Sequence, residues 1–412
     1  MFRLGERFTE MKLIHTSDWH LGARLHNWDE TDEEEHLFVQ LAEVVEDEQP
    51  DALVVSGDIF DTGTPGNDVA KRFTDALLEV TSRCPDMATV VIAGNHDSYS
   101  RLIVDKELWL RSWVHVFGMP SEDATGKAVF ERNVVTLPGK GVIAAAPFCH
   151  PRNFPAVDGT AGDNREKDYF KGLAQHVADH SGGLPTVLMA HLAVRADIDL
   201  RGHDKSLIIG GEECVGVEEL GDGYDYVALG HIHCPQEVKG KGGRTVVRYC
   251  GAPRAIHFDE TYDHGVDVVT VAAGSSRTVE IRKKVFEPLH ALVTIGGEDG
   301  LPFEDALRQL VEAQLPADTY IRLNVRLGVG ELSGPDWTER ARKDCAAKGF
   351  QFCLINTIRT EAPERQESKM TLTMAELKEL SNDEVLLILS TRHELTDRQC
   401  ALVKSLMEEV RS

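Results

Sequence analysis

The sequence predicts a layered α/β domain followed by a small α+β domain and a helical tail. Three observations carry that prediction. Short apolar runs of strand length alternate with amphipathic helical stretches from Met11 to about Val285. From there the order becomes strand, helix, strand, helix, strand. A polar, proline-containing stretch at 361–369 then leads into two helix starts.

MKLIHTSDWH, opening at Met11, is an apolar run that ends in polar residues, the pattern of a buried parallel strand feeding a site. Residues 1–10 read as a flexible N-terminal extension. A helix is predicted over 33–46, with Leu37, Leu41, Val44 and Val45 on one face. ALVVS (52–56) is a strand, 67–81 a helix with Phe73, Ala76, Leu77 and Val80 in one stripe, and TVVIAG (89–94) a strand. Further strands are expected at 142–146, 187–190, 226–229, 246–249 and 266–271, with a helix over 161–180. The second region offers strands at 291–297, 320–327 and 350–357, and helices at 304–313 and 337–348. The expected organisation is therefore a main domain (11–285), a small domain (286–360), a linker (361–370) and a tail (371–412). In the tail, Ser381 with Glu384 and Thr396 with Gln399 have capping-box spacing. Val385 to Leu389 and the stripe Val403, Leu406, Met407, Val410 make a helical hairpin that needs a surface to bury it, from its own chain or a partner.

Composition narrows the function classes. The chain has 412 residues, 42% apolar and 27% charged, enough to bury a sizeable core, which excludes disorder as the main theme. No run approaches the ~20 apolar residues that span a bilayer, and the first residues lack the apolar core of a secretory signal. The eight cysteines are scattered without a C-x-x-C, which argues against a disulfide framework or zinc ribbon and for a reduced cytoplasm. The net charge of −24 argues against coating nucleic acid by charge alone, but leaves open an enzyme that acts on it.

Polar clusters follow the strands. They are Asp18-Trp19-His20, Gly57-Asp58-Ile59-Phe60-Asp61, Gly94-Asn95-His96-Asp97 and Gly230-His231-Ile232-His233, with His191 closing TVLMAH. In open α/β sheets the strand ends meet along one edge, where ligands bind. Residues i and i+2 of an extended segment share a side, so Asp18 with His20, and His231 with His233, can reach one ion together. The glycines let the backbone turn so that the next side chain faces the site. Mixed carboxylate, imidazole and amide donors suit Mn²⁺ or Fe²⁺ better than Mg²⁺, and zinc stays open. Each cluster alone is common; the whole set, each after an apolar strand, is not.

The motif order D-x-H, G-D-x-x-D, G-N-H-D, H, G-H-x-H resembles the calcineurin-like metallophosphoesterase superfamily. HTSDWHLG (15–22), GDIFDTGTP (57–65), AGNHDS (93–98), ALGHIH (228–233) and RYCGAP (248–253) are similar to its SbcCD-type branch, related to archaeal and eukaryotic double-strand-break repair nucleases. The resemblance runs from Met11 to about Phe286 and is looser beyond. It implies a layered β-sandwich core with helices outside, a small α+β capping domain and a C-terminal helical hairpin. It implies two divalent ions, Mn²⁺ first, with Mg²⁺, Fe²⁺ or Zn²⁺ as alternatives. Asp18, His20, Asp58 and His233 would hold one ion. Asp58, Asn95, His191 and His231 would hold the other, with Asp58 bridging. His96 would protonate the leaving oxygen and Asp97 orient it. Asp61 stands where some relatives carry a second functional histidine, and His15 is expected beneath the site.

The implied activity is two-metal hydrolysis of DNA phosphodiesters, exonucleolytic at double-strand ends and endonucleolytic at hairpins or single strands. A phosphomonoesterase or cyclic nucleotide phosphodiesterase on the same scaffold is the alternative. No P-loop pattern occurs, so the resemblance implies a separate coiled-coil ATPase partner that docks on the tail helices, and a homodimer within a heterotetramer. Lys239, Lys241, Arg244, Arg248 and Arg254 are candidate DNA contacts, the alternative being a solvated hairpin. Arg282, Lys283 and Lys284 form a weaker candidate.

Overall fold

The computed structural model describes residues 9–359, apart from 161, 163, 197, 200–213, 222, 240–244, 274–276 and 329. The expected extension, linker and tail helices therefore lie outside the described residues, but for the last two positions of the extension. The described parts of Met1–Leu327 and Glu331–Ile358 form one compact unit.

The chain begins with β1 (Glu10–Thr16), the short hairpin β2 (Arg24–Leu25) and β3 (Trp28–Asp29), α1 (Thr31–Glu48), β4 (Ala52–Ser56), α2 (Asn67–Arg83) and β5 (Ala88–Ile92). Short helices α3 (Tyr99–Leu102) and α4 (Lys106–Trp109) precede β6 (Val114–Phe117), β7 (Val134–Leu137) and β8 (Gly141–Ala146). There follow α5 (Arg165–His180), β9 (Thr186–His191), β10 (Ala193–Arg195), β11 (Cys214–Gly216), β12 (Tyr226–Gly230), β13 (Gln236–Val238), β14 (Val246–Tyr249), β15 (Gly265–Ala272) and β16 (Thr278–Val285). The last group is β17 (Leu292–Ile295), α6 (Phe303–Glu312), β18 (Tyr320–Leu327), α7 (Trp337–Lys348) and β19 (Gln351–Arg359).

Two six-stranded sheets, ordered β16-β15-β1-β4-β5-β6 and β13-β14-β12-β9-β8-β7, stack face to face. Met11, Leu13, Val54, Val90, Ile143, Val187, Met189 and Tyr226 pack between them. The outer face of the first sheet is covered by α1 and α2 through Leu37, Leu41, Phe73 and Leu77, and that of the second by α5 through Tyr169, Phe170 and Leu173. Strands buried on both faces need no polar alternation, which is why β4 and β5 are wholly buried. This is the layered sandwich with outer helices that the sequence led us to expect. α5 starts at Arg165 rather than near 161, because the Asn164 side chain accepts the Lys167 N–H and caps it.

The second region folds as the three-stranded sheet β17-β18-β19 with α6 and α7, around Phe303, Leu310, Leu323 and Phe350. It touches the first through Leu25, Phe258, Tyr320 and Cys353, and through Trp28 Nε1 donating to the Phe352 carbonyl at 2.9 Å. No helix among the described residues is long and apolar enough to cross a membrane.

One expectation is corrected here. Arg282, Lys283 and Lys284 lie on the edge strand β16 and are engaged by the fold. Arg282 and Lys284 pair with Glu48 at 2.8 and 2.9 Å, and Lys283 donates to the Cys250 carbonyl at 2.6 Å. Hydrogen bonds from Arg282 and Lys284 hold the Glu48 carboxyl down from 4.5 to about 2. A carboxyl lowered on folding contributes stability above its unfolded value and loses it as the pH falls through the folded one. Glu48→Gln should therefore cost about 1 kcal/mol at neutral pH, typical of partly exposed pairs. The gap in melting temperature should close as the pH drops from 4.5 towards 2. A gap that stays constant with pH would show that these pairs add nothing.

Candidate metal centre

The expected residues come together at the carboxyl ends of strands from both sheets. β1, β4 and β5 deliver 17–20, 57–61 and 94–97; β9 and β12 deliver His191 and 230–233. Backbone bonds tie the first two loops, with Asp18 N donating to the Gly57 carbonyl at 2.9 Å and His20 N to that of Asp58 at 3.0 Å. Asp18, His20, Asp58 and His231 all have positive φ, at 54°, 45°, 49° and 99°. Such backbone costs of order 1–3 kcal/mol per residue and collects at functional sites.

The glycines serve two different ends. Gly57 has φ +91°, as the turn argument requires. Gly94 and Gly230 are needed for close approach instead. A Cβ on Gly94 would sit 2.2 Å from Asp58 N and Oδ1, and one on Gly230 1.9 Å from the Ser56 carbonyl oxygen.

The Asp58 carboxylate is the meeting point. Its Oδ2 lies 3.6 Å from His20 Nε2 and 3.3 Å from His191 Nε2, while Oδ1 accepts the His96 N–H at 2.9 Å. On one side His20 and His233 face each other, Nε2 to Nε2, at 3.2 Å. Asp18 joins them, its ligand atom within 4.8 Å of theirs. On the other side Asp58, His191 and His231 form a second such group. Asn95 Oδ1 is 2.9 Å from His191 Nε2 and 3.1 Å from His231 Nδ1. Asp18, His20, Asp58, His191 and His233 are buried. Among the described residues, no lysine or arginine pairs with Asp18 or Asp58. Buried carboxylates met only by imidazoles and an amide fit a pair of divalent cations of the Mn²⁺ or Fe²⁺ kind.

The electrostatics agree. Burial alone would lower the His191 pKa, but the Asp58 charge and hydrogen bond, aided by Asp18, carry it up to about 9. A cation beside Asp58 would take the part that this proton plays without one. His233 is pushed down to about 3 by burial and by its neighbour His20, which favours a neutral ring there.

His96 is placed differently from expectation. Its Nδ1 donates to the Asp61 carbonyl at 2.8 Å, so Asp61 orients the ring. Asp97, expected to do this, accepts the backbone N–H groups of Ile59, Phe60 and Gly94 at 3.1, 2.9 and 2.8 Å. It braces two loops, because buried amides there need an acceptor. Burial and the nearby Asp58 charge push its own pKa up to about 6. Asp61 also has a carboxylate oxygen 3.5 Å from His20 Nδ1. His15 is fully buried beneath the site, with Nδ1 2.8 Å from the Tyr226 hydroxyl.

Two candidate DNA contacts are also corrected. Arg254 is 7% exposed, pairs with Glu30 at 2.8 Å and donates to the His20 carbonyl at 3.3 Å. Arg248 is bidentate to Asp267 at 2.5 and 3.3 Å. Both are held by internal carboxylates, because a buried guanidinium must be paired. Lys239 is exposed, and Lys241 and Arg244 lie outside the described residues. The sequence reading missed Glu260, which accepts from His233 Nδ1 at 2.8 Å, and Ser17, which donates to Asp18 Oδ2 at 2.5 Å. Neither had a local signal beyond its place after a strand or in a turn.

Gly230→Ala should lower stability by about 1–3 kcal/mol, as overpacking against backbone does. Gly63→Ala, whose Cβ would meet nothing closer than 3.6 Å, should be near neutral. Thermal melts of the two variants check this, and equal midpoints would refute the close-approach argument.

Comparisons with known proteins agree with this geometry. The family model described as calcineurin-like phosphoesterase matches residues 11–235. The SbcD protein of nuclease SbcCD from Rhodobacter capsulatus is 31% identical over 279 residues, covering 65% of this chain and 68% of that one. The SbcD proteins of Bacillus subtilis and Escherichia coli K12 are 29% and 28% identical, covering 65% and 68% of this chain and 68% and 70% of theirs. The chain belongs to the calcineurin-like phosphoesterase family, as a metal-dependent phosphodiesterase among the SbcD nucleases.

Proposed function

We propose that this chain is the nuclease component of an ATP-dependent DNA end-processing complex, hydrolysing DNA phosphodiesters with two divalent cations, Mn²⁺ first. The observation that carries this is the Asp58 carboxylate set between His20 and His191, with Asp18 and His233 beyond one and Asn95 and His231 beyond the other. In this reading Asp18, His20, Asp58 and His233 hold one cation, and Asp58, Asn95, His191 and His231 the second. The bound pair supplies an activated water and neutralises charge on the phosphate oxygens. His96, held by the Asp61 carbonyl at Nδ1, turns Nε2 to the departing sugar oxygen and gives it a proton.

The names of the relatives support the rest: a partner of the SbcC type, with the coiled-coil ATPase docked on 371–412, and a homodimer within a heterotetramer. Residues 286–360 serve as a cap over the DNA, and Lys239 remains its one described candidate contact in the main domain. Cys84, Cys149, Cys250, Cys345 and Cys353 are buried free thiols, as suits a reducing cytoplasm.

The decisive assay sets manganese-dependent release of nucleotides from duplex ends against turnover of small phosphomonoesters and cyclic nucleotides. Turnover of the small esters alone would replace the nuclease reading with the alternative on the same scaffold. His96→Ala should keep its bound manganese and lose about 10²–10⁴-fold in strand cleavage; unchanged cleavage would remove His96 from the mechanism. Deleting 371–412 should abolish capture of the ATPase partner while diester cleavage persists. Continued co-purification would place the docking surface elsewhere.

A further inference from the structure

Glu260 lies in the turn before β15, outside every motif loop, yet reaches the site. Its side chain has no exposed surface. Oε1 accepts from His233 Nδ1 at 2.8 Å, and Oε2 accepts the Ile256 N–H at 3.1 Å. The opposite nitrogen of the His233 ring, Nε2, faces His20 Nε2 at 3.2 Å and groups with Asp18.

We propose that Glu260 is a positioning residue: it fixes the proton of His233 on Nδ1, and so aims the Nε2 lone pair at the Asp18–His20 group. The inference rests on the proposed role of His233 as a ligand and deepens it. A neutral imidazole carries its proton on one nitrogen only. An acceptor at Nδ1 therefore decides which nitrogen is left to bind, and the hydrogen bond makes that nitrogen more basic. The ring cannot rotate without leaving a buried carboxylate oxygen unpaired, which costs more than losing an ordinary hydrogen bond. The second oxygen, on Ile256 N, anchors the carboxylate to the 256–260 turn and so stiffens its aim.

A merely structural Glu260 would staple that turn and leave His233 indifferent. The two roles separate in the full chain. Histidine nitrogen NMR of the metal-free protein should show His233 protonated at Nδ1, and Glu260→Ala should remove that preference. Calorimetric titration with Mn²⁺ should show one of two sites weakened about 10–100-fold in Glu260→Ala, the range for outer partners of ligating histidines. Glu260→Gln, whose amide oxygen can still accept from Nδ1–H, should recover most of the affinity. Glu260→Asp, one methylene too short, should fall between, and carries the test if the alanine variant fails to fold. An unchanged His233 tautomer together with two unchanged Mn²⁺ affinities in a folded variant would overturn the proposal. His233→Ala guards the underlying reading. If it still binds two manganese ions with wild-type affinity, the ligand assignment fails, whatever Glu260 does.

Discussion

Asp58 places a carboxylate where the two sheets meet, and most of the site follows from the need to satisfy it. Burial would raise its pKa, but His191, His20 and His96 outweigh burial and hold it far below the usual carboxylate range. Its backbone carbonyl accepts His20 N, and Oδ1 accepts His96 N. Its left-handed backbone turns the side chain inward, and a Cβ at Gly94 would collide with it. The carboxylate therefore ties the ends of β1, β4, β5 and β9 into one arrangement. A fold that lost it would leave two buried imidazoles without a counter-charge.

Around this centre stands a ring of residues that touch the expected ligands rather than the substrate. Ser17 holds Asp18, the Ser56 carbonyl accepts from His191 Nδ1 at 2.8 Å, and the Asp61 carbonyl holds His96. Asp97 closes the second loop onto the third, and Arg254 takes the His20 carbonyl while remaining paired with Glu30. Each ligand is thus oriented by a group that itself cannot move freely. Such support is what keeps a set of donors within the narrow geometry that a cation accepts. The arginines that might have been free to grip phosphate are part of this scaffold instead, so substrate recognition has to draw on other cations.

The strand reading of the main domain shows where sequence is informative. The strands anticipated there were β1, β4, β5, β8, β9, β12, β14 and β15, which are the eight interior strands of the two sheets. The four missed, β6, β7, β13 and β16, are the four edges. An interior strand of a covered sheet is buried on both faces and prints as an unbroken apolar run. An edge strand need bury only part of its length, and β16 reads TVEIRKKV, half of it charged to deter pairing. Its basic run looked like a phosphate contact for the same reason.

The site divides along the same line. Sequence by itself determined which side chains follow which strands, because D-x-H, G-D, G-N-H-D and G-H-x-H are local patterns of donor and turn. It also determined that acids and imidazoles would converge, because parallel strands share a carboxyl edge. Only the tertiary structure decided that Asp97 serves backbone amides, that Asp61 and Glu260 aim histidines, and that Arg248 and Arg254 are consumed internally. Those contacts join residues far apart in the chain, such as His233 with Glu260 and Arg254 with Glu30. A hydrogen bond across such a separation depends on how two sheets and their loops pack, and no window of neighbouring residues carries that information.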